Sequence, residues 1–396
     1  MYSLSLIIAL IPIFFSHILS RFGVFFMDGS SFERVKVYLF LILVALACVE
    51  MIITRLEKVE VFFRKNYHTI LAFLLLPILF QFIRWGALDP SFFWGSAEKH
   101  HGYFLFAGLV VFTSLILLLT KKEYDCLIII SLSSVIVIAG VAILEYLGFS
   151  LFCSPNISWS LICGTSNRVS WELGRTIATL GNPNYVAGYL LIHLPLLSRI
   201  RQPEWMVMLG LFVIALITTG SFAGIAFAVW YGIFLLLRKY QYGIRIFVAL
   251  ILVLIILLVA LVPHTKFLSL ESRGVLMVET MKLATEHPIS LLVGAGPDSL
   301  IQTFSTQRSD RINAYFPSDM AIDSSHNVII DFLYSYGILL TFGLGILFFR
   351  RFSTLDSTYR HIVTLSLLFF SLNVIVIAPL IVTLFILASP PRIPAE

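Results

Sequence analysis

The chain has 396 residues, of which 59% are hydrophobic and only 12% charged, with a net charge of +5. An average soluble domain carries about a quarter charged residues, so this composition excludes an ordinary water-soluble enzyme, and the residue alternation of a membrane barrel is absent. The basic residues sit in short links between apolar segments, where they act as topology signals rather than as a nucleic-acid surface.

The first segment, "SLSLIIALIPIFFSHILS", has no basic residue ahead of it and no small-residue cleavage site behind it. It reads as a retained span rather than a signal peptide. Further apolar runs cover roughly 37–54, 69–88, 102–120, 125–147, 184–198, 205–219, 222–237, 246–263 and 327–349. Each is close to the length a helix needs to cross about 30 Å of hydrocarbon. A final block, 362–388, contains Asn373 and Pro379 and reads either as one long tilted helix or as two short ones. The expected fold is an all-α polytopic membrane protein, a bundle of 11–12 transmembrane helices forming a single integral membrane domain over 1–396.

With the N-terminus in the cytoplasm, alternate links fall inside. They read "TRLEKVEVFFRKNYH", "KKEYD", "RIRQPE", "RKYQYGIR" and "RRFSTLDSTYRH", and together hold 14 of the 27 Lys and Arg. That density sets the orientation. Two long loops then lie outside, 148–183 and 264–326, and the second contains helix-compatible stretches such as "RGVLMVETMKLATEH". Long polar segments in an otherwise economical bundle are functional or disordered. Cys153 and Cys163 share the first loop and form a disulfide if it faces an oxidising compartment, or remain two thiols if it does not. Cys48 and Cys126 fall in or beside spans and read as packing residues.

The polar oddities gather on the outer face. "GRTIATLGNPNYVAGYL" combines structure-breaking Gly181 and Pro183 with Asn182 and Asn184, which suit loop hydrogen bonds or a helix cap. Arg175, ahead of that turn, is either solvated or a fork for a phosphate. Arg273, Arg308 and Arg311 in the second loop carry the same two readings, as lipid-facing charges or anion ligands. Arg84, near the outer end of the third span, either snorkels to the interface or reaches an anionic head group. "HPISLLVGAGPDSL" lacks the strand–turn–helix context of a dinucleotide fingerprint and reads as a compact turn against another backbone. His100 and His101 have no third ligand that would make a metal site, and no acidic cluster points to a divalent ion.

In "SSHNVIIDFLYSYG", His326 precedes an apolar run, with Ser324 or Ser325 expected to cap the helix that follows. The positive end of a helix dipole disfavours a protonated neighbour, which suits a general base. A polar interfacial residue is the other reading of His326.

Four boxes taken together resemble the O-antigen ligase family of bacterial inner-membrane glycosyltransferases. They are "GRTIATLGNPNYVAGYL", "TTGSFAGIAFAV", "SRGVLMVETMKLATEHPISLLVGAGPDSL" and "HNVIIDFLYSYGIL", spanning roughly 170–350. The family's histidine–asparagine box, followed by nine residues and a glycine, matches His326, Asn327 and Gly337, and its two loop arginines match Arg175 and Arg273. Phe222 departs from the arginine common after Thr-Gly-Ser, and Leu340 from a small residue, threonine or tyrosine. Arg84, Arg308 or Arg311 are candidates to make up the missing phosphate contact.

The resemblance implies transfer of a glycan from an undecaprenyl-diphosphate carrier to an acceptor hydroxyl, nominally on lipid A core, at the periplasmic face. It implies a large, partly helical periplasmic loop forming part of the site and no cofactor. His326 would be the base, Arg273 and Arg175 catalytic cations, and Arg84, Asn182, Asn184, Arg308, Arg311 and Asn327 binding residues. O-antigen polymerases and protein O-oligosaccharyltransferases share the donor. Polymerases often carry an arginine followed by ten residues and a glycine, which neither Arg175 nor Arg273 has. A transporter for lipid-linked sugars is the alternative of a different class. It predicts ionisable groups near mid-membrane and repeated halves, and the sequence suggests neither.

Overall fold

The computed structural model describes residues 1–13, 31–85, 90–96, 101–147, 176, 178–180, 182–200, 204–239, 264–318, 322–371, 373 and 377–389. Among them there is no strand, only fifteen α-helices and two 3-10 turns. Arg175, His100, Cys153, Cys163, the expected span 246–263 and most of the loop 148–183 lie outside the described residues.

Helix α1 (Tyr2–Ile13) is followed by α2 (Ser31–Trp85), which takes in the expected span 37–54 and, of the span 69–88, residues 69–85. The link between them was expected as a loop. It contains no glycine or proline and is rich in Glu, Lys and Arg, so the helix continues through it. The helical path breaks only at Arg55 (φ −147°, ψ 35°), whose guanidinium pairs with Glu123. Short α3 (Pro90–Trp94) and α4 (Tyr103–Leu117) lead to α5 (Lys121–Tyr146). A capping box starts α5: Thr120 Oγ1 accepts from the Glu123 amide, and the Glu123 carboxylate accepts from the Thr120 amide at 2.9 Å.

Helix α6 (Pro183–His193) ends in a 3-10 turn over Leu194–Arg199, where Pro195 stops the α pattern inside the expected span 184–198. Next come α7 (Glu204–Thr218) and α8 (Phe222–Lys239). Four helices then occupy 264–318: α9 (His264–Thr285), α10 (Pro288–Val293), α11 (Leu300–Thr306) and α12 (Asp310–Asn313). Of these, α9, α11 and α12 share a small core of Leu276, Ala284, Leu300, Phe304 and Ile312, closed by Tyr334 of α13 (Val328–Thr354). The final apolar block is two helices, α14 (Ser357–Phe370) and α15 (Ile377–Leu387), divided around Asn373.

Among the described residues, three helices are long and apolar enough to cross a membrane: α2 over Arg34–Arg84, α5 and α13. Their outward faces expose large apolar side chains, among them Ile53 at 77% and Phe349 at 70%, surface that water does not stabilise. The other apolar helices, among them α1, α4, α7 and α15, are shorter.

Polar contacts gather at two ends. At one, the N-terminal amine meets Glu50, Arg55 meets Glu123, Arg199 meets Asp356, and Arg351 Nε donates to the Leu387 carbonyl. At the other, Thr179 Oγ1 donates to the Pro12 carbonyl, Glu145 accepts from the Ala178 amide, and Asn327 Nδ2 donates to the Ser371 carbonyl.

The expectation of no ionisable group deep among the spans is corrected. Lys36 and His193 are both fully buried. Lys36 Nζ donates to the Thr179 carbonyl at 3.0 Å, at the end that holds the turn 178–179, whereas His193 lies between the ends. His193 Nδ1 lies 2.7 Å from the Tyr189 carbonyl, which can only accept, so Nδ1 carries the proton. Nε2 therefore accepts from the Ser131 hydroxyl at 2.8 Å, near the middle of α5. Ser134 donates to the Ser131 carbonyl and so accepts from the Tyr189 hydroxyl. Every proton in this ring is used once, which is how a neutral histidine is tolerated there.

Candidate functional site

His326 sits in a turn held by its neighbours. Its backbone is left-handed, φ 60°, a region where histidine is found more often than most side chains but at some cost. The Ser324 hydroxyl accepts from the His326 amide at 3.0 Å and donates to Asp331 at 2.7 Å. The Ser325 amide donates to the other oxygen of Asp331 at 2.7 Å. The cap of α13 is neither serine but Asn327, whose side-chain oxygen accepts from the Ile329 and Ile330 amides. Asn has the reach to cap from one residue before the helix, which leaves the serines free to tie the turn to Asp331.

Two turns into α13, Gly337 adopts φ 71° and ψ 174° and breaks the helix. The break frees two carbonyls: Tyr334 accepts from the Ala295 amide at 2.7 Å and Ser335 from the Gly296 amide at 2.9 Å. The expected compact turn, "VGAGPDS", thus packs directly on the backbone of the "SYG" box. A Cβ on Gly337 would lie 2.3 Å from the Leu292 carbonyl oxygen, and one on Gly294 equally close to that of Ser335. Arg84 Nη1 completes the joint by donating to the Gly294 carbonyl at 2.5 Å.

The other two boxes meet in the same way. The Ser221 hydroxyl donates to Asn184 Oδ1 at 2.9 Å, and the Thr176 amide donates to the Thr218 carbonyl at 3.2 Å. Asn182 caps α6 through the Asn184 amide. Glycine is required at 188, where a Cβ would lie 2.2 Å from the Phe369 ring of α14. The end of α14 in turn receives Asn327 at Ser371. All four boxes therefore form one connected assembly, and each joint is made by backbone groups, glycines, hydroxyls or amides.

A cavity of about 790 Å³ opens between the end of α2, α3, α10 and α11, and Arg84, Gln81 and Tyr334 contribute to its wall. A smaller one of about 100 Å³ is lined by Ser324, Asp331 and His101, and Tyr334 and Asp298 border both. His326 and Arg273 line neither. Arg273 is half-buried on α9, one turn before core residue Leu276. Arg308 donates to the Phe304 and Pro317 carbonyls at 3.0 and 2.7 Å and so staples its own loop. Arg311 is exposed near Glu279, whose carboxyl is held below its ordinary range by hydrogen bonding to Lys282 and then to Ser309. No group of three or more His, Cys, Asp and Glu that could hold a metal occurs among the described residues.

Sequence reasoning missed Asp331, Asp298, Gln81 and the clamp of Lys36 and Glu145 on the turn 178–179. One signal was available: Gly95 follows Arg84 after ten residues, the polymerase spacing, and both line the larger cavity. No family model, curated protein or solved structure matches this chain.

Proposed function

We propose that the chain is an integral protein of the bacterial inner membrane, N-terminus in the cytoplasm, that moves a glycan from undecaprenyl diphosphate to an acceptor hydroxyl at the periplasmic face. The observation that carries this reading is the joining of the four separated boxes into one assembly at one end of the molecule, the end opposite the basic links. The helices of 264–318 would then be a folded periplasmic segment standing over that end.

In the proposed step the acceptor oxygen attacks the anomeric carbon, a new glycosidic bond forms, and the bond from that carbon to the diphosphate oxygen breaks. The acceptor proton passes to His326, and undecaprenyl diphosphate leaves. Arg273, with Arg175, would offset the charge that grows on the diphosphate. Asp331 would act through the turn, fixing the backbone from which the imidazole projects.

Purified full-length protein, given an undecaprenyl-diphosphate glycan and core lipopolysaccharide with chelator present, is expected to transfer. His326→Ala should lower the rate by about 10²–10⁴-fold, the usual contribution of a general base, and Arg273→Ala should lower it as well. Unimpaired transfer in both variants, or dependence on added metal, would overturn the reading.

The spacing of Arg84 and Gly95 supports a second reading, polymerisation, in which the acceptor is another glycan chain on the same carrier. The same assay with two carrier-linked glycans and no lipopolysaccharide separates the two by product length.

A further inference from the structure

We infer that the cavity of about 790 Å³ between α2, α3, α10 and α11 is a binding site for the hydroxyl groups of an oligosaccharide, remote from the reacting bond. The inference rests on the glycosyltransferase reading for the choice of glycan. The cavity falls within the range of about 300–1,000 Å³ typical of small-molecule sites.

Its chemistry is that of a polyol site rather than a phosphate site. Gln81, Gln302 and Gln307 present three amides, each able to donate and accept at once, the pattern that paired sugar hydroxyls match. The charged groups on its wall do not favour an anion: Arg84 stands against two carboxylates, Glu286 and Asp298, with His287 beside them. A diphosphate would call for a surplus of cations, which this wall does not have.

The floor is pre-formed. It is the turn 294–299, fixed by Arg84 at the Gly294 carbonyl, by α13 carbonyls at Ala295 and Gly296, and by the Ser96 amide at Asp298, 2.5 Å away. Gly296 adopts φ 106°, a backbone conformation that side chains rarely take, and the Gln81 amide oxygen lies over it, 2.9 Å from where a Cβ would stand. A rigid wall lowers the ordering cost of binding a flexible glycan.

The cavity also stands in a useful place. Tyr334 on its wall is six residues along α13 from Val328, roughly 9 Å at 1.5 Å per residue, from the turn that carries His326. A glycan whose end lay at His326 could extend into the cavity, so its remote sugars would supply binding energy and orientation.

The test is calorimetric titration of the detergent-solubilised full-length protein with two probes. One is the free glycan released by mild acid from undecaprenyl-linked material of the source strain. The other is the core oligosaccharide of its lipopolysaccharide. Binding of the first alone assigns the cavity to the donor, and of the second alone to the acceptor. The double variant Gln302→Leu/Gln307→Leu should weaken that binding at least tenfold. Thr306→Trp, which fills the exposed rim, should do the same, and Arg360→Ala, exposed at the opposite end, should leave it within twofold. The proposal is overturned if neither probe binds the wild type at millimolar concentration, or if both cavity variants bind like the wild type. Transfer by the wild type and its loss in His326→Ala would still judge the enzymatic reading separately.

Discussion

Gly337 combines φ 71° with ψ 174°, a region that only glycine occupies without strain of about 1–3 kcal/mol. Its missing Cβ also gives the Leu292 carbonyl and the Gly294 amide their places. Gly337→Ala is therefore expected to destabilise the protein by about 2 kcal/mol or more, read as a lower thermal midpoint in detergent. Gly343→Ala is the control. A Cβ there meets nothing within 4 Å, and alanine in a helix interior is favoured over glycine by about 0.5–1 kcal/mol. A neutral Gly337→Ala would mean that the helix break and its two freed carbonyls do not hold the site together. At this scale, sequence and structure agree where a residue acts through its own backbone. Asn182 and the Gly-Ala-Gly turn were legible because capping and turn chemistry are local. Asp331 and Lys36 were not. Asp331 reaches back seven residues to Ser324, and Lys36 meets Thr179 across 143 residues. Nothing in a single stretch announces either pairing.

Among the elements, α9 shows how the segment 264–318 is tied together by charge as well as by its small core. Glu279 accepts from Lys282 at 2.6 Å and also bonds Ser309, the cap of α12. Both bonds favour the carboxylate and hold its pKa below the ordinary value. A group depressed on folding contributes stability that is present above its unfolded pKa, near 4.5, and is lost as pH falls through the folded value. Amide hydrogen exchange of this segment in detergent, corrected for the intrinsic pH dependence of the exchange rate, should therefore rise as pH is stepped below about 4.5. Glu279→Gln should raise exchange at pH 7 and flatten the difference at low pH. An unchanged wild-type profile relative to the variant would remove Glu279 from the account. Element boundaries were legible for α5, α7 and α13, where a long apolar run coincides with one uninterrupted or once-broken helix. They failed at α2, because hydropathy marks where lipid can lie and says nothing of whether a charged link stays helical. They failed again at α6, where Pro195 ends an apolar run early in helical terms.

The whole molecule sorts itself into two ends without reference to charge counting. Met1 and Glu50, Arg55 and Glu123, Arg199 and Asp356 share one end, and the links at or beside these pairs are among those expected inside from their Lys and Arg content. The joined boxes lie at the other. The ion pairs and the basic links thus fall at the same end, and the proposed orientation, with that end in the cytoplasm, rests on the positive-inside bias. Single cysteines in an otherwise cysteine-free chain give the decisive measurement. At Lys65, Lys122 and Arg360, all exposed on the basic end, an impermeant maleimide added to spheroplasts should label only after permeabilisation. At Gln302 and Gln307, exposed on the opposite end, it should label intact spheroplasts. The reverse pattern would put the joined boxes in the cytoplasm, where His326 would meet no translocated lipid-linked glycan, and the proposed reaction would fall with the orientation.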